Sequence, residues 1–209
     1  MVVDVRVRHA EEAPYADRCD KCGATGDVLL HCRTEDLCLD CAGLGHLEFL
    51  PAGSAAFTRR AVKASRHPII VLRRNIRRFR FERQGILAEP AVIEAAAMAS
   101  LADADVPGRD DIAAAIREQF PGCPTDRAGA IALHTAVKLT PRTRRRYARP
   151  EFCPDDVRSA VTASVLHVDT DYDELVASGV DRDAARAQVS DRVDEVLRAW
   201  RDGVALLDI

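Results

Sequence analysis

A chain of 209 residues is long enough for one domain of ordinary size together with a small accessory module. Apolar residues make up 47% and charged residues 30%, and no apolar run approaches the roughly 18 residues that a membrane-spanning helix needs. The net charge of −3 excludes no partner by itself, but its placement is informative: residues 51–88 carry ten basic side chains against the single acid Glu82, a local +9 that leaves −12 for the remainder.

In chain order, the start carries Asp4, Arg6 and Arg8 where an export signal would be apolar, so a cytoplasmic, reducing environment is expected. Val3, Val5 and Val7 alternate with charged residues and predict a short strand. Five of the seven cysteines (Cys19, Cys22, Cys32, Cys38 and Cys41) follow within 23 residues. An odd count with no export signal points to metal or free thiols and away from a disulfide framework. Cys19-Asp-Lys-Cys22 and Cys38-Leu-Asp-Cys41 are two C-x-x-C pairs separated by 15 residues. Each pair turns two thiolates toward one point, and two such knuckles complete a tetrahedron around Zn2+. Four thiolates leave no position for water, so the zinc is expected to be structural. Cys32, His31 and His46 remain candidates to replace one ligand.

Pro51-Ala-Gly53 marks a break, after which Ser54 caps a helix reaching Ser65 and carrying Arg59, Arg60 and Lys63. His67 to Ala88 predicts a β-hairpin that turns near Asn75, with Gly85 ending its second strand. Arg73, Arg74, Arg77, Arg78 and Arg80 lie on it among Phe79 and Phe81. Arginine grips phosphate with two donors and an aromatic ring stacks on an unpaired base, so nucleic acid is the expected partner, RNA ahead of DNA. The competing reading is a solvated hairpin whose phenylalanines face the core.

Pro90 opens the first of several helices, Asp110 or Asp111 caps the next, and Thr125 caps a third that runs to about Leu139. Arg142, Arg144, Arg145 and Arg146 then form a second basic run that would add phosphate contacts. Pro154-Asp155 opens a helix bearing Val157, Val161 and Val165. Thr170-Asp-Tyr-Asp173 has the form of a capping arrangement whose helix stops at Gly179. A short helix from Asp181 or Asp183 follows. Ser190 caps a last one, with Val193, Val196, Leu197 and Trp200 facing inward.

His167-Val-Asp-Thr-Asp-Tyr-Asp173 packs a histidine, a threonine, a tyrosine and three aspartates into seven residues. As a helix-to-helix corner, Thr170 caps while the acids meet a helix N-terminus. As a site, His134, His167, Asp169, Thr170, Tyr172 and Asp173 form a polar cluster. In that case Asp169 and Asp173 would hold a metal and a histidine would move protons, giving a metal-assisted hydrolase or nuclease. No G-x-S-x-G, H-E-x-x-H, Walker loop or G-x-G-x-x-G is present, and Cys123 and Cys153 are expected to be packed thiols.

His31-Cys-Arg-Thr-Glu-Asp-Leu-Cys-Leu-Asp-Cys-Ala-Gly-Leu-Gly-His46, Thr58-Arg-Arg60, Glu82-Arg-Gln-Gly-Ile-Leu87, Phe120-Pro-Gly-Cys-Pro124 and His167-x-x-Thr170-x-Tyr172-Asp173 together resemble the bacterial branch of the domain of unknown function 2293 family. The resemblance implies no established activity. Relatives carry a glycine-, serine- and arginine-rich stretch after the position of His134, and here Val137 to Arg149 keeps only the arginines.

The expected fold is α+β: a zinc-ribbon-like module over residues 1–50, a basic helix and hairpin over 51–89, and a mostly helical domain over 90–209. The leading expectation is a zinc-containing, non-enzymatic, nucleic-acid-associated protein with no membrane partner. A protein-interaction module is the third reading.

Overall fold

The computed structural model describes residues 8–13, 18–26, 28–139 and 153–205. The strand expected at Val3 to Val7 and the basic run of Arg142, Arg144, Arg145 and Arg146 lie outside the described residues. The strands are β1 (Arg8–Glu11), β2 (Leu30–Cys32), β3 (Glu35–Leu37), β4 (Glu48–Pro51), β5 (Ile69–Asn75) and β6 (Arg80–Ala88). The helices are α1 (Ala55–Ala64), α2 (Pro90–Met98), α3 (Arg109–Gln119), α4 (Thr125–Lys138), α5 (Pro154–Val168), α6 (Tyr172–Ala177) and α7 (Arg182–Arg201). The fold is mixed α+β, with the strands in the first half and the helices gathered in the second.

One sheet organises the molecule. Its strand order is β1-β5-β6-β4, with β1 parallel to β5 and the other pairs antiparallel. Both of its faces are covered, which explains why Ile69-Ile70-Val71 and Ile86-Leu87-Ala88 read as unbroken apolar runs and not as an alternation. Ile70, Leu50, Ile86 and Ala88 point toward the helices, where they join Phe57, Ile93, Ile116, Phe120, Leu133, Val161, Val196 and Trp200 in the main core. Ile69, Val71, Phe49 and Leu87 point the other way and pack on Val28, Leu30 and Leu47 of the cysteine-bearing segment. Each large side chain taken fully from water contributes about 1.5–3 kcal/mol, so this sheet cements the two halves of the chain.

The elements follow from local rules, with four corrections. Ser54 caps α1, its side chain accepting from the Phe57 N–H at 3.4 Å, and Pro90 occupies the first turn of α2 as expected. Gly85 does not end the hairpin strand. β6 continues to Ala88, and Gln84 bulges out where Val71 pairs with Gly85 but Leu72 pairs with Arg83. A Cβ at Gly85 would lie 2.3 Å from the Leu50 carbonyl oxygen and 2.7 Å from the Phe49 ring, so the glycine serves close strand packing. Neither Asp110 nor Asp111 is the cap of α3: Gly108 holds that position and both acids sit in the first turn, where they favour the helix dipole. Thr125 is the first residue inside α4, after Pro124 at the cap. Finally, the two short helices expected after residue 181 are one 20-residue helix. Asp181 caps it by accepting from the N–H groups of Asp183 and Ala184, while the Ser190 hydroxyl donates to the Ala187 carbonyl in mid-helix.

Candidate functional site

The four cysteines at 19, 22, 38 and 41 converge, with their sulfur atoms all within 4.8 Å of one another. Cys22 Sγ and Cys38 Sγ are 3.7 Å apart. A tetrahedral zinc with metal–sulfur bonds of about 2.3 Å requires sulfur–sulfur edges of about 3.8 Å, so the quartet can hold such an ion with little rearrangement. The backbone serves the same purpose. The two turns are alike: Gly23 N–H bonds back to the Cys19 carbonyl at 2.8 Å, and Ala42 N–H to the Cys38 carbonyl at 3.0 Å. A glycine at φ 72° ends each knuckle, Gly23 closing the first turn itself and Gly43 following Ala42 in the second, a conformation in which a side chain would be strained. Cys41 N–H points at Cys38 Sγ from 3.5 Å.

The thiols alone are electrostatically at odds. Hydrogen bonding from the Cys38 backbone, against a smaller opposing effect of burial, draws Cys19 down to about 6. The sulfurs of Cys22 and Cys38 push Cys41 up to about 12. Four such groups ionise together when a cation sits among them. Cys32 lies on β2 and packs on the edge of this small core, where burial raises its thiol; His31 is bound by Asp36 at 2.7 Å. Among the described residues, the quartet that can hold a metal consists of the four cysteines of the two C-x-x-C pairs, without Cys32, His31 or His46. Asp40, between Cys38 and Cys41, forms an ion pair at 2.6 Å with Arg182, and Arg182 also donates to the Gly45 carbonyl, so the second knuckle is tied to the first turn of α7.

The hairpin separates its arginines by face. Ile69, Val71, Arg73 and Asn75 share one face of β5, and Arg73 there meets Glu12 through two donors at 2.6 and 3.1 Å. Glu12 is buried, so Arg73 is its counter-charge. Arg78 and Arg80 share Glu82, at 3.5 and 3.2 Å, and stay exposed. Arg74 and Arg77 are also exposed, and neither has an acidic partner among the described residues. Phe79 is 90% exposed, Ile76 64% and Phe81 55%. The phenylalanines therefore do not face the core, and Arg74 lies opposite Phe81 across the ladder.

The polar cluster divides into three groups. His167 Nδ1 meets Asp173 Oδ1 at 2.8 Å, and Tyr172 packs edge-on against the imidazole with ring centres 5.4 Å apart. Thr170 uses its hydroxyl to close the corner, donating to the Leu166 carbonyl and accepting from Tyr172 N–H at 3.2 Å. His134 turns instead toward Glu48 at the start of β4, with its buried Nε2 3.8 Å from the carboxylate and without a hydrogen-bond partner. Lys138, one turn further along α4, touches the same carboxylate oxygen. Burial alone would raise the Glu48 carboxyl, but His134, Lys138 and His167 outweigh it and hold the group at about 2. Burial pushes His134 down to about 4 despite Glu48.

Asp169 goes elsewhere. It pairs with Arg127 through donors at 2.8 and 2.6 Å, and Arg127 also meets Glu94 at 2.7 Å, the Ser164 hydroxyl, and the face of Trp200 at 5.1 Å. Asp169 and Asp173 thus have separate partners and do not form a common metal-holding pair. Sequence reasoning missed Glu48, Lys138, Arg127 and Glu94. A signal existed for two of them, because Arg127, His134 and Lys138 are seven and four residues apart and so share one helix face. Glu48 and Glu94 come from remote segments and gave none.

Residues 115–201 match the model of a family described as "Uncharacterized conserved protein (DUF2293)". The matched stretch starts inside α3 and ends with the last residue of α7; it contains Arg127, His134, Lys138 and the His167–Asp173 corner. No curated protein and no solved structure gives a match.

Proposed function

Taking residues 115–201 as a region of the uncharacterized conserved protein family DUF2293, we propose that the chain is a zinc-containing protein that binds single-stranded RNA through its protruding hairpin. The observation that carries the reading is the pair Phe79 and Phe81, left in water beside Arg74, Arg77, Arg78 and Arg80. Ile76, Phe79 and Phe81 are exposed together at one hairpin end, the kind of apolar patch that marks an interaction site, and base stacking uses such rings while the neighbouring guanidinium groups neutralise phosphate. Arg73, spent on Glu12, is of less use for this than the other four. The arginines at 142, 144, 145 and 146 would add further phosphate contacts. Zinc on Cys19, Cys22, Cys38 and Cys41 shapes the surface that supports β5 and does no chemistry, since four thiolates fill its coordination.

Titrating a labelled single-stranded RNA at several salt concentrations tests this. The logarithm of affinity should fall linearly with the logarithm of salt, by about 0.7 per phosphate contacted. Arg74→Ala with Arg77→Ala should flatten that slope, and Phe79→Ala should cost about 1–3 kcal/mol of binding with the slope unchanged. Affinity that ignores salt, or no binding at low salt, overturns the reading.

A further inference from the structure

We propose that RNA held by the hairpin lies on one of its two faces, the one shared by Arg74, Phe81 and Arg83, and runs from there onto Arg59 and Lys63 of α1. The proposal rests on the RNA-binding reading and adds to it the path and the length of the bound strand.

The two faces of the protruding ribbon are chemically unlike. Along β5, Ile69, Val71, Arg73 and Asn75 look toward the cysteine-bearing segment, while Ile70, Leu72 and Arg74 look toward the helices. Residues opposite one another in the ladder share a face. Arg83 therefore joins Leu72, and Phe81 joins Arg74, on the helical side; Glu82 joins Arg73, and Arg80 joins Asn75, on the other. The second of these faces is already neutralised, because Arg73 pairs with Glu12 at 2.6 Å and Arg80 with Glu82 at 3.2 Å. A phosphate arriving there meets carboxylates. On the helical side Arg74 and Arg83 are exposed, with no acidic partner among the described residues. Phe81 neighbours both, across the ladder from Arg74 and two residues from Arg83. A phosphate arriving here meets cations and a base meets a ring.

Helix α1 carries this surface onward. Ala52 N–H, two residues before the cap Ser54, donates to the Gln84 carbonyl at 2.7 Å, and the Ser65 hydroxyl, just past the helix, donates to the Glu89 carboxylate at 2.5 Å. The helix therefore lies along β6 from Gln84 to Glu89, with its N-terminal end toward Arg83. Phe57 and Ala61 bury one side of it in the main core. Arg59 and Lys63 are one turn apart on the opposite side, exposed, and without an acidic partner among the described residues. Arg60 is excluded, since it is spent on Asp103 and the Ser100 hydroxyl. The nine residues of β6 span about 27 Å, and at about 3.4 Å per stacked nucleotide that length accommodates about eight.

The test measures binding of the full-length protein to labelled single-stranded RNAs of four and of ten nucleotides, by anisotropy, at several salt concentrations. The readout is the salt slope, which counts phosphates and is insensitive to the extra registers that a longer strand offers. The slope should be steeper for the ten-nucleotide RNA. Arg59→Ala with Lys63→Ala, checked for an unchanged melting curve, should lower that slope by ~1.4, at about 0.7 per phosphate, and leave the shorter RNA, anchored by the rings, as it was. Arg83→Ala should lower the slope for both lengths. Arg117→Ala with Arg158→Ala removes the same charge from α3 and α5 and should change neither. Equal slopes for the two lengths in the wild type, or an α1 variant that binds the longer RNA like the wild type, overturns the path while leaving hairpin binding in place. So does a control pair that matches the α1 pair, since the effect is then one of net charge. An ineffective Arg83→Ala overturns the choice of face. Binding of neither RNA at low salt removes the RNA-binding reading and the path together.

Discussion

The cysteine-bearing segment and the helical region are held together by different means. The first has few large apolar residues. Its small core consists of Ala13, Cys19, Leu29, Leu37 and Cys38, and its strands β2 and β3 are three residues each. Beyond this cluster the segment leans on the sheet through Val28, Leu30 and Leu47, so an ion held by the four cysteines is expected to add the stability that so small a core of its own does not supply. The helical region holds most of the large main core, which it shares with Leu50, Ile86 and Ala88 of the sheet, and its polar interior is organised by one guanidinium. The contrast predicts where each half is vulnerable: one to removal of a metal from its four cysteines, the other to loss of a charge.

Metal removal gives the sharpest break. Structural zinc contributes about 10–16 kcal/mol of apparent binding energy in zinc-finger peptides, so Cys38→Ser or strong chelation should unfold the segment from residue 18 to residue 47. Limited proteolysis should then cut within it while the helical circular dichroism persists. An unchanged cleavage pattern after verified metal loss would refute the contrast.

Arg127→Met tests the other half. It leaves the buried Glu94 and the partly buried Asp169 without their shared cation, and a loss of about 3–5 kcal/mol is expected in urea denaturation. Burial already raises the Glu94 carboxyl despite Arg127, so adding Glu94→Gln should recover part of the loss. If the single change costs nothing, the guanidinium is not the organiser.

Acid should weaken the junction between the halves by a smaller amount. An unfolded chain binds a proton on His134 near its ordinary 6.5, whereas the folded protein resists until about 4. Stability at this group therefore falls as pH drops from about 6.5 toward 4. Glu48, held at about 2 against an ordinary 4.5, extends the decline below that range. In His134→Gln the upper part of the decline should vanish from a series of melts between pH 7 and pH 4. The smallest effect is at Ser54→Ala, where loss of a long 3.4 Å cap bond should cost about 0.5–1 kcal/mol.

Much of this was legible in the chain before any coordinates. The α+β class, the cap at Ser54, the proline entry to α2 and the hairpin all follow from local rules acting on adjacent residues. Spacing brought Cys19, Cys22, Cys38 and Cys41 into one group for the same reason, since each knuckle is a local turn. What was not legible depends on contacts between distant segments. Gly85 looked like a strand end because its closeness to Leu50 and Phe49 arises only when β4 pairs with β6. Asp169 looked like a partner of Asp173 because both lie in one heptapeptide, yet Arg127, 42 residues upstream, claims it. Arginine 73 resembled its neighbours until its face of the strand met Glu12.

The chain has one tryptophan, and its position makes it a selective reporter. Trp200 is buried at the far end of α7, under Arg127, about 27 Å along the axis from Arg182 and the knuckle that Arg182 clasps. Its emission therefore reads the interior of the helical region and is blind to coordination at the thiolates. Followed beside cobalt absorbance during a denaturant ramp, this single fluorophore would time the two melting events separately without any label being attached.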